Sequence, residues 1–312
     1  MRSRSPVVQR AAVPDYYLHD LSPFIFRIGA WGPRWYGVAY VLSFLAGYAL
    51  YRWLARRRFT DMPEEKVADF ITLAAIFGVM LGGRLGWILF YGWKETHEHW
   101  YWPLEVWVGG MSSHGGILAL AIFTWWFARR HRLSWTSIGD SLCVAAPPGL
   151  FLVRCANFIN GELFGKPAGA PGAKASVPWA TIFPTELESQ MPPLDALQHD
   201  EALRQMLRET LPPRHPSQLY EALLEGVVLF AALWFLRTKV RVPRGVITGA
   251  FFILYAALRI VGEMFRVPDP AWQVGSFSAG QFLSLFFFVI GGAFIVTGFR
   301  RGEYEAAFVR QN

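Results

Sequence analysis

The chain has 312 residues, of which 53% are hydrophobic, 16% aromatic and only 17% charged, with a formal net charge of +7. Soluble domains carry about 25% charged residues, so this composition excludes disorder, a collagen-like fibre and an ordinary soluble globule. Two cysteines allow neither a disulfide framework nor a cysteine metal cage, and no metal is expected.

Ahead of Pro14 stand Arg2, Arg4 and Arg10 but no apolar run, so no cleavable signal peptide is expected. A bilayer core needs roughly 20 mostly apolar helical residues. Seven such stretches are predicted, at about 35–54, 68–91, 113–128, 137–159, 218–236, 245–264 and 281–299. The fourth is interrupted by Pro147-Pro148-Gly149, a break tolerated where neighbours satisfy the freed backbone groups. The expected fold class is therefore all-α, a polytopic integral membrane protein of about seven transmembrane helices, with 1–312 as one membrane domain. Residues 160–217 are too long for a plain connection. They are predicted to form an extracytoplasmic cap between spans four and five, with helical character around 194–210.

Orientation follows from lysine and arginine. Arg56, Arg57 and Arg58 follow the first span, Arg129, Arg130 and Arg132 the third, and Arg237, Lys239, Arg241 and Arg244 the fifth. The loop after the second span offers only Lys94, and the one after the sixth only Arg266. An outside N-terminus and a cytoplasmic C-terminus satisfy this alternation, although Arg27 and Arg34 oppose it. The positive charge then sits on the cytoplasmic rim beside anionic lipid, and no nucleic-acid partner is expected.

Ionisable side chains inside spans are costly and point to function. Counting along the helices, Arg84, Arg154 and Arg259 reach the outer third of the membrane. Tyr36, His114 and Glu221 stand at the outer starts of spans, and Glu263 at the outer end of the sixth. Arg259, Glu263 and Arg266 share one helical face, as do Gln218, Glu221 and Glu225; Arg154 and Asn157 stand one turn apart. Two readings stay open: arginines and carboxylates neutralise each other across helices, or the arginines form an excess that an anionic ligand satisfies. Gly78, Gly82 and Gly86 recur every four residues and are read as a helix-packing stripe. Cys143 and Cys155 are read as packing residues. His114, between serines and glycines, is either structural or a base, and His215 either anchors the turn into the fifth span or lines the site.

The stretch Arg154-Cys-Ala-Asn157-Phe-Ile-Asn160-Gly161-Glu162-Leu-Phe-Gly165 resembles the signature of the prolipoprotein diacylglyceryl transferase family. So do Trp35-Tyr36-Gly37, Gly82-Gly83-Arg84-Leu-Gly86, Gly110-Met-Ser-Ser-His114-Gly-Gly and Arg214-His215-Pro-Ser-Gln218-Leu-Tyr-Glu221. Arg259-Ile-Val-Gly-Glu263-Met-Phe-Arg266-Val-Pro-Asp269 and Gly280-Gln281 close a set that runs in the family's order over roughly 22–300. One departure is Ala156, where the family usually has glycine.

The resemblance implies a bacterial inner-membrane enzyme that moves the diacylglyceryl group of phosphatidylglycerol to the lipobox cysteine of a prolipoprotein. The products are a thioether and glycerol phosphate, no cofactor is used, and the site faces the periplasm. By the same resemblance Arg154 and Arg259 hold the phosphate, Tyr36 orients the head group, and Asn157, Asn160 and Gly165 shape the site. Glu162 and Glu263 position the arginines, and His114 is the candidate base for the thiol. Arg84, Gly161, His215, Gln218, Glu221 and Arg266 complete the expected substrate-binding set, with membrane lipid as the surrounding partner.

Three rivals carry different signatures. A transporter predicts charges along a path to both faces, whereas here the inner halves of several spans hold nothing ionisable except Asp140. A lipid phosphotransferase predicts aspartate-rich metal motifs. An intramembrane protease predicts paired aspartates or a facing serine–histidine pair, and Ser113 and His114 are merely adjacent.

Overall fold

The computed structural model describes residues 15–29, 32–90, 92, 101–102, 110–267, 273–274 and 277–309, the side chains of residues 90, 113–114, 273–274, 277–284 and 309 excepted. A two-residue strand β1 (Tyr17–Leu18) precedes helix α1 (Trp35–Arg56). Then come α2 (Glu64–Leu89), α3 (Ser113–His131) and α4 (Trp135–Ile159). The cap holds β2 (Thr181–Ile182), α5 (Leu194–His199) and α6 (Glu201–Thr210). Helices α7 (Ser217–Lys239) and α8 (Val246–Glu263) follow. After them come the hairpin β3 (Gln273–Val274) and β4 (Phe277–Ser278), α9 (Ala279–Arg301) and the short α10 (Ala306–Val309).

Among the described residues, five helices are long and apolar enough to cross a membrane: α1, α2, α4, α7 and α8. Seven spans were expected; the third and seventh are present as the helices α3 and α9. Exposed Val41, Leu45, Leu118, Ile122, Phe235 and Val289 give the bundle an apolar outer surface that only lipid would cover. The chain is an all-α polytopic membrane protein.

Local chemistry sets the helix ends. Ser112 and Ser134 cap α3 and α4, their hydroxyls accepting from the backbone N–H of Gly115 and Ser137. Arg56 closes α1, and Arg129 and Arg130 stand in the last turn of α3, where cations suit the helix dipole. At Pro147 the ring removes a donor, and α4 changes course without ending. The glycine stripe packs as expected. A Cβ on Gly86 would come within 2.5 Å of the Gly115 Cα on α3, so these helices touch backbone to backbone.

The cap is not confined to 160–217. β1 pairs in parallel with β2, and Leu18 enters a small core with Ile182, Leu197, Leu207 and Leu211. Asp20 accepts from Arg204, and Asp15 pairs with Arg208, so the segment before α1 is stitched to α5 and α6. The helical character expected around 194–210 is present as α5 and α6.

A second departure lies at the opposite end of the bundle. Arg237, expected in a cytoplasmic loop, is fully buried in the last turns of α7. It pairs with Asp140 at 3.7 Å and Glu305 at 3.2 Å, and donates to the Phe59 carbonyl. Asp140 also accepts from Gly245 N, Thr248 N and Thr248 Oγ1 at 2.7–2.8 Å, and so caps α8. Arg244 bridges Asp61 and Glu305. Buried charge therefore occupies both ends of the bundle, which corrects the one-sided distribution read from the sequence.

Candidate active site

The signature 154–165 forms the end of α4 and the strap that follows. Helices stop where a residue can turn left-handed, and Gly161 does so at φ +66°. Glu162 N then donates to Asn157 O at 3.1 Å and Gly161 N to Phe158 O at 2.9 Å, the paired bonds of a Schellman end. The Asn157 amide reinforces the same closure by donating to Glu162 Oε1 at 2.7 Å. His19 locks it from the N-terminal segment, its Nε2 2.7 Å from Phe158 O, while Thr185 donates to Gly161 O at 2.5 Å. Burial lowers the His19 pKa, so the neutral ring gives its Nε2 proton to that carbonyl.

Four residues on, Gly165 threads between two other segments. Its N–H donates to His215 O at 2.9 Å and the next N–H, of Lys166, to Phe265 O at 2.8 Å. A Cβ on Gly165 would sit 2.5 Å from both carbonyl oxygens. Only glycine lets this strap pass, and the strap ties the start of α7 to the residues after α8. Arg214 holds it from outside, donating to Gly165 O while pairing with Glu186. His215 sits among Tyr220 and Phe265, with Nδ1 3.1 Å from the Tyr220 hydroxyl, and burial lowers its pKa. Its contacts are those of a turn anchor.

Beneath this frame lies the charge cluster. Glu221 and Glu225 project from α7, whose backbone widens into π-type turns over Ala222–Val228. Gly226 lets this stretch reach α4, since a Cβ there would meet Phe151 Cα at 2.9 Å, one turn from Arg154. Arg154 meets Glu221 at 2.9 Å and Glu225 at 3.2 Å. Arg259 on α8 meets Glu221 at 3.3 Å, Glu225 at 3.2 Å and Glu263 at 2.8 Å. Arg266 reaches Glu221 at 3.4 Å. The arginine side chains are 15–18% exposed, whereas Glu221 and Glu225 are 2% and 0% exposed.

Of the two open readings, cross-helix neutralisation is present: three arginines meet three glutamates. No excess exists within this cluster. Yet both central carboxylates are shared, and neither supplies Arg154 or Arg259 with an exclusive bidentate partner. The arginine side chains, rather than the carboxylates of Glu221 and Glu225, are what solvent reaches. Such a cluster can accept an anion by exchanging one carboxylate contact for another acceptor.

Other expected residues fall as follows. Glu162, read as a positioner of the arginines, instead holds amides: Asn157, Asn160 at 3.4 Å and, through its backbone oxygen, Gln218 at 2.6 Å. Glu263 does contact Arg259. Arg84 donates to Trp102 O at 2.6 Å and Gly110 O at 3.3 Å beneath the rings of Trp87 and Trp102. Tyr36 is half-buried in the first turn of α1, its ring 5.3 Å from Tyr40. Ala156 is buried in α4 beside Arg154. His114 lies in the first turn of α3, and its side chain falls outside the described residues, as do Asp269 and the Gln281 side chain. Glu225, placed by its spacing on one face with Gln218 and Glu221, joins the cluster, whereas His19 left no signal in the sequence.

The family model for prolipoprotein diacylglyceryl transferase matches residues 23–297. A Bdellovibrio bacteriovorus protein named phosphatidylglycerol–prolipoprotein diacylglyceryl transferase is 37% identical over 88% of this chain and 92% of its own length. Proteins of the same name from Nitratidesulfovibrio vulgaris and Coxiella burnetii are 40% and 36% identical, over 87% and 92% of this chain and 91% and 99% of their own lengths.

Proposed function

This chain belongs to the prolipoprotein diacylglyceryl transferase family, and from that membership we propose that it transfers the diacylglyceryl group of phosphatidylglycerol to the lipobox cysteine of a prolipoprotein. The observation that best supports this reading is the cluster in which Arg154 and Arg259, from two helices, share the carboxylates of Glu221 and Glu225. An anionic lipid needs cations inside the membrane, and this pair offers guanidinium forks at lipid depth.

In the reaction the cysteine sulfur forms a bond to the glyceryl carbon, and the bond from that carbon to phosphate oxygen breaks. Its electron pair stays on the departing glycerol phosphate, and the thiol proton goes to a base. Preorganised guanidinium groups lower the barrier because they meet charge as it develops on that oxygen. Glu263 orients Arg259, and Glu221 and Glu225 set the spacing of the two arginines.

His114 is the proposed base, standing in the turn that α3 makes against the α2 glycines. Loss of a general base costs about 10²–10⁴ in rate. His114→Gln is expected to slow transfer by that factor while lipid binding persists; a near wild-type rate with an unchanged pH profile removes the role.

The site is proposed to face the periplasm from the inner membrane. A cysteine introduced in 166–200 is expected to react with an impermeant thiol reagent in intact cells, and one near Arg130 to stay unlabelled. The reverse pattern overturns the orientation. The central test is incubation of the purified protein with phosphatidylglycerol and a lipobox peptide. A mass gain of one diacylglyceryl group on the cysteine supports the function, and an unmodified peptide refutes it.

A further inference from the structure

Between the cap and the first span the chain makes a closed hairpin. Ile25 N donates to Pro33 O at 2.9 Å and Trp35 N to Pro23 O at 3.0 Å, and Phe24 bridges Arg34 in the antiparallel sense. Gly32 lies so close to the outgoing arm that a Cβ there would collide with the Phe26 carbonyl. The guanidinium groups of Arg27 and Arg34 lie over the Phe24 ring, 5.1 and 4.9 Å from its centre. A hairpin tied in this way could turn its large apolar groups inward, yet Phe26 is 57% and Ile28 76% exposed. Leu21, Ile25 and Trp35 of the same segment are exposed as well. An apolar patch of this kind on a tied hairpin marks a contact surface.

Position and charge say what covers it. Trp35 opens α1, so the base of the hairpin stands at the end of a membrane span. Phe26 and Ile28 are two and four residues beyond Phe24, which keeps them within about 7 and 13 Å of the bridge at about 3.3 Å per residue. The tip therefore stays beside the lipid head groups, the level at which aromatic residues of membrane proteins gather. Just before the hairpin, His19 and Asp20 hold the cap, so this is the piece of chain that joins cap to bilayer. Its only charged side chains are Arg27 and Arg34, both exposed. The nearest acid in the sequence, Asp20, is taken by Arg204, and none follows until Asp61. These are the two arginines that oppose the lysine-and-arginine alternation of the loops. Two like charges gathered on one ring favour an anion, and guanidinium forks suit phosphate. Apolar tips flanked by arginine are the make-up of segments that lie in the interface of an anionic bilayer.

We propose that residues 21–35 form an interfacial foot: Phe26 and Ile28 sit in the cap-side leaflet, and Arg27 and Arg34 bind the phosphates of anionic lipids there. The foot uses none of the residues of the Arg154–Arg259 cluster, so it stands or falls apart from the transfer reaction.

The test places a fluorophore at Ile28→Cys in the full chain, with Cys143 and Cys155 replaced by alanine, in phosphatidylcholine nanodiscs. A protein labelled instead at Asp195→Cys, on the cap and with its side chain 94% exposed, is the water reference. The discs hold a minor fraction of lipid carrying a nitroxide near its head group, either phosphatidylserine or phosphatidylcholine. The Ile28 label is expected to be quenched by the lipid nitroxide and shielded from aqueous acrylamide, and the Asp195 label the reverse. The phosphatidylserine nitroxide is expected to quench the Ile28 label more than its phosphatidylcholine counterpart, by about fivefold for each arginine engaged. Arg27→Gln/Arg34→Gln is expected to bring the two lipids level. Phe26→Cys repeats the measurement should Ile28→Cys not fold. Acrylamide reaching Ile28 as readily as Asp195 overturns the foot, and equal quenching by both lipids in the protein with its arginines overturns the anionic contact. Shielding from acrylamide without quenching by either lipid assigns the patch to protein, a second copy of the chain or another partner, and overturns the proposal as well.

Discussion

Two buried charge clusters stand at opposite ends of one helical bundle, and they are built differently. At the cap end, Arg154, Arg259 and Arg266 hang over Glu221, Glu225 and Glu263 with 15–18% of each arginine side chain open. At the other end, Arg237 and Asp140 are both 0% exposed and Glu305 is 1% exposed. The first cluster balances three positive against three negative groups. The second sets Asp140, Glu305 and Asp61 against Arg237 and Arg244, and offsets the remaining negative charge by lodging Asp140 on the N-terminal N–H groups of α8. Partly exposed arginines with shared carboxylates can exchange partners, whereas a carboxylate sealed onto a helix terminus cannot. The same side chains thus make an exchangeable anion site at one end and a fastener at the other.

Breaking the sealed cluster has the largest expected effect. Arg237→Met removes the buried cation that Asp140 and Glu305 share, and removing one partner of a buried pair costs about 3–5 kcal/mol. Unfolding of the purified protein in detergent checks this, with Arg237→Met/Glu305→Gln expected to recover part of the loss. The transfer rate per folded molecule should stay at the wild-type value; a fall in that rate would mean the two ends are coupled.

The open cluster is expected to answer in the opposite currency. Arg259→Ala removes a donor aimed at developing charge and should lower transfer by roughly 3–4 kcal/mol in barrier. Arg259→Lys keeps charge but not the fork, and should also lose most activity. Removing Arg259 and Glu263 together leaves Arg154 and Arg266 balanced by Glu221 and Glu225. If that double variant regains transfer, Arg259 serves neutrality rather than phosphate, and the contrast between the two clusters disappears.

The smallest effect sharpens the comparison at the frame around the site. His19 has its pKa lowered by burial from the ordinary 6.5. Above pH 6.5 folded and unfolded states are both neutral there, and stability is independent of this group. Below it the unfolded chain takes up a proton that the folded chain resists, so stability falls as pH falls. The loss at pH 5.5 is at most about 1.4 kcal/mol. Thermal unfolding at pH 7.5 and 5.5 should show a smaller pH effect in His19→Asn, which keeps a donor for Phe158 O.

What was legible in the sequence followed from cost. An arginine in an apolar run is expensive, so Arg154 and Arg259 announced themselves, and so did their common depth. Their partners were harder to read, because cross-helix contacts depend on rotation, and the π-type turns after Glu221 alter that rotation without a sequence mark. Arg237 was assigned to a loop because the apolar run ended at 236, yet the helix continues to Lys239 and residues 302–309 fold back over it. β1 was invisible for another reason. Two residues pairing with a strand more than 160 positions away leave no periodicity.

Glu305 follows its partner Arg237 by 68 residues. Chains are synthesised at about 5–20 residues per second, so Arg237 waits on the order of 3–14 s for that carboxylate to exist. Asp140, Ser141 and the Phe59 carbonyl, made earlier, are already present at the start of that wait. The fastener is therefore a late event in biogenesis, closed after α8 and α9 have been made, and the bundle acquires its full resistance to unfolding only when the segment beyond α9 has folded back.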